Sequence, residues 1–143
     1  MSKIIFDKEI PETVLPELKH YVLPCEWLIP AWCEQVFIGW ITNPDSEGAT
    51  ITTSLYYEYR WARLTFRPCF HEQTTKQEQV VHEFIHLFCG ILADYARDTI
   101  KLLIPETDAP KFREHALAEL TRRHESLTQD ITLCIMRKGL FEQ

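Results

Sequence analysis

The chain contains no apolar run near the roughly 20 residues that a membrane-spanning helix requires. The segment from Met1 to Glu12 also lacks the long apolar stretch of a signal peptide. Basic residues are in deficit, with 15 lysines and arginines against 21 aspartates and glutamates, and they are scattered along the chain. These absences argue against a membrane partner and against nucleic acid as the main partner. We therefore expect a cytoplasmic protein.

The sequence also lacks any Cys-x-x-Cys pair. Its 5 cysteines form no pattern of a disulfide framework, and an odd number cannot pair completely. They predict reduced, mostly buried thiols. By contrast, 45% hydrophobic and 12% aromatic residues in a chain of 143 supply enough apolar material for one core. We expect a single domain over residues 1–143.

Helical and strand patterns divide the first half of the chain. Apolar residues at helical spacing predict a short amphipathic helix over 11–23. Residues rich in β-branched and aromatic types predict a strand over 33–41, closed by turn residues at Asn43-Pro44-Asp45 and Gly48. Two further strands are predicted over 49–59 and 60–67, and in the second Ala62, Leu64 and Phe66 alternate with more polar neighbours.

Two long helices follow. The first is predicted over 75–97, with Thr75 and Glu78 as a capping box. After a loop that contains Pro105, Asp108 and Pro110, the second is predicted over 109–137. The pattern predicts an α+β fold, in which an N-terminal helix, a small and mostly antiparallel sheet, a motif-bearing helix and a long C-terminal helix follow one another.

The run His82-Glu83-Phe84-Ile85-His86 is the most informative stretch of the sequence. Two histidines four residues apart on a helix point to the same side, where both can bind one metal ion. The intervening Glu83 supplies the base that a zinc-bound water needs. The motif predicts a zinc-dependent hydrolase that acts on peptide bonds, with His82 and His86 as metal ligands and Glu83 as the catalytic residue.

Apolar stripes indicate which helix faces are buried. On the motif helix the predicted apolar side consists of Val81, Phe84, Ile85, Phe88 and Leu92. On the last helix the predicted stripe consists of Leu117, Leu120, Leu127, Ile131 and Cys134. We expect both stripes to pack into the core and the two histidines to face a cleft.

Tetrahedral zinc needs a third protein ligand. The extended motif with a glycine three and a histidine six residues past the second histidine is absent, because Cys89 and Leu92 occupy those places. The third ligand must come from elsewhere. The candidates on the last helix are Glu114, His115, Glu119, His124 and Glu125. Glu125 adjoins the apolar stripe and is preferred, although His124 lies closer to the centre of the stripe and also suits zinc.

With these residues the chain resembles the small glutamate-zincins, compact peptidase-like domains common among phage and bacterial proteins. In them a glutamate on the helix after the motif helix completes the zinc site. The resemblance is carried by the His82 to His86 run and by Glu125-Ser126-Leu127-Thr128. Such domains often carry another acidic residue one turn before the ligand, where this chain has Thr121. The resemblance implies a minimal zincin-like domain with zinc as cofactor.

The resemblance also implies a mechanism and a substrate. Zinc held by His82, His86 and Glu125 would polarise a water and the scissile carbonyl of a peptide or protein substrate, and Glu83 would move the proton to the leaving amine. Candidate donors to the oxyanion are Tyr95, His115 and His124. In that family the strand before the motif helix borders the cleft and pairs with an extended substrate. Residues 60–66 resemble that strand.

Other interpretations of the motif stay open. The first is a noncatalytic zincin-like module, in which the metal is structural or vestigial and the chain acts by binding another protein. The second is a packed core that contains both histidines and no metal, where each unsatisfied buried group would cost roughly 1 to 3 kcal/mol. The ligands are also not exclusive to zinc, since two histidines and a carboxylate accept cobalt, nickel or copper.

Overall fold

The computed structural model describes residues 2–42, 49–107, 109–139 and 141. The predicted turn at Asn43-Pro44-Asp45 and Gly48, and Asp108 of the predicted loop, lie outside these residues. The main elements in chain order are β1 (Ile4–Phe6), α1 (Leu15–Val22), β2 (Gln35–Trp40), β3 (Ile51–Tyr56), β4 (Trp61–Phe66), α2 (Lys76–Leu103) and α3 (Pro110–Arg137). Short 3-10 turns lie at Leu23–Leu28, Tyr57–Tyr59 and Pro68–Glu72.

The predicted α+β class is confirmed, but the prediction of a mostly antiparallel sheet is wrong. The strands lie in the order β1-β2-β4-β3. The β1–β2 and β2–β4 pairs are parallel, and the β3–β4 hairpin is antiparallel. The cause is the crossover between β1 and β2: α1 and the following 3-10 turn return the chain to the starting end of the sheet, which makes the two strands parallel. The sequence pattern does not predict β1, because three residues are too few to show alternation.

The predicted strands and helices are present with shifted ends. Strands β2, β3 and β4 lie inside the predicted ranges 33–41, 49–59 and 60–67. Helix α1 begins at Leu15 rather than at Pro11, and the chain continues past Val22 as a 3-10 turn. Helix α3 matches the predicted 109–137 closely. Helix α2 runs to Leu103 rather than ending near residue 97, because its sequence contains no proline.

The predicted capping box at the start of α2 is wrong. The Thr75 side chain makes no capping bond to the helix. Glu78, the expected reciprocal partner, instead accepts a hydrogen bond from Nε2 of Gln129 on α3, at 2.9 Å. A contact between two helices has replaced the local bond, and it brings Glu78 to the candidate site.

The core forms between the sheet and the N-terminal half of α2. In β4 the predicted alternation is confirmed, since Ala62, Leu64 and Phe66 are buried and the residues between them are partly exposed. On α2, Phe84 and Ile85 are buried against this core. Helix α2 also packs beside β3 and along α3. The metal motif therefore lies where α2 is held between a strand and a helix.

The stripe predicted for α3 is covered only in part, since Ile131 packs against the core and Leu117 and Leu120 are half-buried. Leu127 and Cys134 are exposed, whereas Thr128 and Thr132 are fully buried. Each threonine donates its hydroxyl hydrogen bond to the backbone carbonyl four residues earlier, at 2.8 Å, so it can be buried with its polar atom satisfied. Small side chains also let two helices approach closely.

The prediction is likewise wrong for part of α2, because Phe88 and Leu92 of its predicted apolar side are exposed. The sheet covers only the first half of this long helix. Among the described residues, no helix is both long and apolar enough to cross a membrane.

Candidate metal centre

His82 and His86 lie on the same side of α2, as their four-residue spacing predicts. Their ring centroids are 4.8 Å apart. Both rings are mostly buried, with side-chain exposures of 19% and 14%. Both Nε2 atoms point towards α3, so the motif presents two nitrogen ligands to the same space.

Glu125 on α3 faces both histidines. Its Oε2 lies 3.2 Å from Nε2 of His82, and its Oε1 lies 3.5 Å from Nε2 of His86. The three side chains each offer one ligand atom, and these atoms lie within 4.8 Å of one another. Ligand atoms bound to one zinc at about 2.1 Å in a tetrahedron are separated by roughly 3.4 Å. The spacing across the two helices therefore matches a shared metal ion.

Nδ1 of His82, the ring nitrogen that does not face Glu125, contacts a second pair of residues. Nδ1 of His82 lies 2.8 Å from Oε1 of Gln129, and Nε2 of Gln129 donates to Glu78. Because Glu78 needs the amide N–H of Gln129, the amide oxygen must face the histidine and accept from its Nδ1–H. That bond keeps the proton on Nδ1 and leaves the Nε2 lone pair available to a metal.

Nδ1 of His86, the ring nitrogen that does not face Glu125, contacts another histidine. Nδ1 of His86 lies 3.0 Å from Nε2 of His124, which makes a hydrogen bond between the two rings. Burial is the main cause that lowers the pKa of His86, to about 4, and burial also lowers the pKa of His124. Both rings are therefore neutral near pH 7, as a metal ligand and its hydrogen-bonding partner require.

The structure separates the five candidates for the third ligand. Glu125 lies beside both motif histidines, whereas His124 lies behind His86. Glu119 is turned away and paired with Arg122 and Arg123. Glu114 and His115 are exposed, and Glu114 lines a separate cleft near the start of α3. Of the five candidates, Glu125 is the one whose carboxylate lies beside both motif histidines.

Glu83 turns from the histidines towards the sheet. The hydroxyl of Thr53 on β3 donates to Oε2 of Glu83 at 2.5 Å. Burial raises the pKa of Glu83 to about 6, although the Thr53 hydrogen bond and the nearby His82 oppose that rise. A carboxylate with this pKa is ionised at pH 7 and is a stronger base than an exposed glutamate.

Two clefts meet beside Glu83. One has a volume of about 340 Å³ and is lined by His82, Glu78 and Gln129, with Thr50 on the strand side. The other has a volume of about 430 Å³ and extends past His86 towards Gly90 and Arg97. Ile51 and Glu83 border both clefts. Together they form a groove between β3 and the two long helices, and we call it the site groove.

The strand that borders the site groove is β3, and the expectation that residues 60–66 fill this role is wrong. Strand β4 lies between β2 and β3 and is paired on both edges. Strand β3 pairs with β4 on one edge, and no strand of the described residues pairs with the other. Strand β4 comes directly before the motif helix in the chain, but β3 is the strand at the edge of the sheet.

The sequence does not identify Thr53, Glu78 and Gln129 as residues of the site. Gln129 lies four residues after Glu125, on the same side of a helix, which is a weak signal that a buried polar group supports a ligand. Glu78 precedes His82 by four residues in the same way. Thr53 gives no signal, because only the packing of β3 on α2 brings it to Glu83.

Comparisons with protein-family models, with curated proteins and with solved structures found no match to this chain. Its function must therefore be inferred from the residues of the site.

Proposed function

We propose that this chain is a zinc-dependent metallopeptidase. The observation that carries the proposal is the convergence of His82, His86 and Glu125, whose ligand atoms lie within 4.8 Å of one another. A partly buried glutamate, Glu83, lies next to this group and borders the site groove.

The donor set suits zinc. Catalytic zinc sites use three protein ligands from histidine, glutamate, aspartate or cysteine and leave a fourth position open. When bound, zinc lowers the pKa of a water molecule to near 7 and polarises a carbonyl oxygen. His82 and His86 would supply two neutral nitrogens, and Glu125 would supply one negative charge.

Glu83 is the proposed general base. Its carboxylate takes a proton from the attacking water and delivers it to the nitrogen of the leaving amine. Thr53 occupies Oε2, so Oε1 is the oxygen that carries the proton. In the metal-free protein burial raises the pKa of Glu83 to about 6, which still leaves the carboxylate ionised at neutral pH.

The outer edge of β3 is the proposed binding place for the substrate. An extended peptide can add to this edge by backbone hydrogen bonds and run along the site groove. The two clefts on either side of Glu83 would then receive side chains on the two sides of the scissile bond. Of the three candidate oxyanion donors, His124 lines this groove, whereas Tyr95 and His115 are exposed.

Metal content and cleavage test the proposal together. We would measure zinc by elemental mass spectrometry in the wild type, in His82→Ala and in His115→Ala, a matched control whose histidine is exposed on α3. The expected result is about one zinc per chain in the wild type and the control, and loss in His82→Ala. The same proteins would be incubated with a library of unfolded peptides and the products read by mass spectrometry.

Glu83→Gln separates catalysis from metal binding. This variant keeps the size of the side chain and is expected to keep zinc while losing cleavage by about a thousandfold or more. A wild type that takes up no zinc would overturn the site. Zinc bound without cleavage of any peptide, or with cleavage unchanged in Glu83→Gln, would overturn the catalytic role and favour the noncatalytic module.

A further inference from the structure

The second half of α2 carries a row of exposed apolar side chains. Phe88, Leu92, Tyr95 and Leu102 repeat at intervals of four, three and seven residues, which places them on one side of the helix. Leu92 and Tyr95 are each 73% exposed. We call these four residues the α2 ridge. The same row begins inside the core, where Val81 and Ile85 are buried, and it runs out beyond the part of the helix that is covered.

A groove lies beside the ridge, between α2 and α3. Its volume is about 490 Å³, and Leu92, Ala96, Leu120 and Leu127 are among its lining residues. Leu120 and Leu127 are two turns apart on α3 and belong to the stripe that the sequence predicts to be buried. The surface thus combines a projecting apolar row with an apolar groove parallel to it.

The ridge points away from the site groove, although His124 lines both that groove and the one beside the ridge. Gly90 lies two residues from both Phe88 and Leu92, and it packs against Leu55 of β3. Two residues on a helix are separated by about 200°. The ridge therefore faces the side of α2 opposite to β3, and covering it would leave the site groove open.

We propose that a second copy of this chain covers the surface, so that the α2 and α3 helices of two protomers form a four-helix interface. A two-fold interface requires one surface that is complementary to itself. The ridge and the adjacent groove supply this, because the ridge of each protomer can occupy the groove of the other.

The exposed area agrees with a dimer. The side chains of the ridge and its neighbours Ile91 and Leu127 are 37% to 79% exposed, and a large side chain exposed to this extent presents on the order of 100 Å² of apolar surface. The ridge together with Ile91 and Leu127 therefore presents roughly 600 Å², the upper end for the largest patch on a monomer. With a polar rim added, this approaches the roughly 800 Å² that each partner buries in a stable interface.

The charges at the rim do not oppose the approach of a second copy. Asp98 lies next to the ridge and Arg123 lines the groove. Farther along α3, Asp130 and Lys138 flank an apolar cleft that continues the α3 stripe. Acidic and basic residues therefore balance along this face, so two identical surfaces can approach without a net repulsion.

Light scattering coupled to size exclusion tests the proposal on the whole chain. The wild type is expected to elute with twice its chain mass of 16.9 kDa at micromolar concentration. A variant with both Leu92→Lys and Tyr95→Lys should elute as a single chain, because it introduces four like charges into the centre of the interface. We expect its dimer dissociation constant to rise by at least about a hundredfold.

Tyr59→Lys is the matched control. Tyr59 lies in the β3–β4 hairpin and is 72% exposed, nearly the same as Tyr95, and its replacement should leave the dimer intact. Circular dichroism confirms that the double variant is folded, and its zinc content should equal that of the wild type whether or not the zinc site is catalytic. A wild type with the mass of one chain would overturn the proposal. A helix of another protein would then be the alternative occupant of this surface. A dimer that survives the double substitution would also overturn it.

Discussion

Nδ1 of His82 lies 2.8 Å from Oε1 of Gln129, whose own Nε2 donates to Glu78. This pair fixes both the ring orientation and the tautomer of the histidine. The proposed metal centre is therefore more than the three side chains that would bind zinc, since its geometry depends on a polar contact between the two long helices.

Replacing Gln129 tests that dependence. Gln129→Ala should weaken zinc binding by about 10-fold to 100-fold, because His82 loses the acceptor that orders it. Competition with a chelator of known affinity measures the change. Gln129→Glu keeps an acceptor for His82 but loses the donor to Glu78, so it should restore only part of the affinity. Gln79→Ala should leave zinc affinity unchanged, since Gln79 contacts Gln73 and Thr75 instead. Equal affinity in Gln129→Ala and the wild type would contradict the assigned role.

Substitutions on α3 distinguish the third ligand. Glu125→Ala should abolish stoichiometric zinc binding, because two histidines alone hold the ion weakly. His124→Ala should retain zinc with affinity reduced by about tenfold, since it removes only the hydrogen-bonding partner of His86. Glu119→Ala serves as the control, as this carboxylate pairs with Arg122 on the surface. If His124→Ala lost zinc and Glu125→Ala kept it, the ligand assignment would be reversed.

Thr53 should affect the pH at which activity is lost as the solution is acidified. Its hydrogen bond lowers the pKa of Glu83 against the effect of burial. In Thr53→Val the pKa of Glu83 should rise further, so activity should begin to fall at a higher pH as the solution is acidified. Thr53→Ser retains the hydroxyl and should behave like the wild type. The pH dependence of kcat/KM gives the result, and identical profiles for Val and Ser would show that the hydroxyl has no such effect.

Glu83→Gln should stabilise the metal-free protein near neutral pH. The folded-state pKa of Glu83 is raised to about 6 from 4.5, so its ionisation disfavours the folded state above that range. The variant lacks this penalty and should gain on the order of 1 kcal/mol in unfolding free energy at pH 7.5. Its advantage should shrink as the pH falls through 6 towards 4.5, where the wild-type carboxyl is protonated in the folded state.

Urea unfolding of both proteins at pH 7.5 and pH 5, with a chelator present, measures this difference. The difference between the two proteins includes the interaction of Glu83 with His82, which the variant lacks. A wild type that is the more stable of the two at pH 7.5 would show that Glu83 is stabilised by its surroundings rather than strained by burial.

Local patterns suffice for much of this protein. The alternation of Ala62, Leu64 and Phe66 predicts the buried face of β4, because side chains in a strand alternate whatever the neighbouring strands do. The spacing of His82 and His86 likewise predicts a shared direction on a helix. The sequence alone leaves both Glu125 and His124 open as the third ligand, and the structure brings Glu125 beside both motif histidines.

Sequence patterns give wrong predictions where contacts between residues distant in the chain determine the structure. The capping box is replaced because Gln129 reaches Glu78 from another helix. The predicted stripe on α3 is apolar, yet Thr128 and Thr132 are the buried residues, because close helix packing selects small side chains over large ones. An apolar stripe indicates that a helix face can be buried, but it does not indicate whether the same domain or another one buries it.

The sequence by itself determined the α+β class, the long helices and the pairing of two histidines with a glutamate on one helix, since these follow from helical and strand periodicity. Only the tertiary structure decided that Glu125 faces both histidines, that β3 rather than β4 borders the site groove, and that Thr53 and Gln129 support the site. Those relationships join residues distant in the chain, and they depend on strand order and helix packing, which no local period specifies.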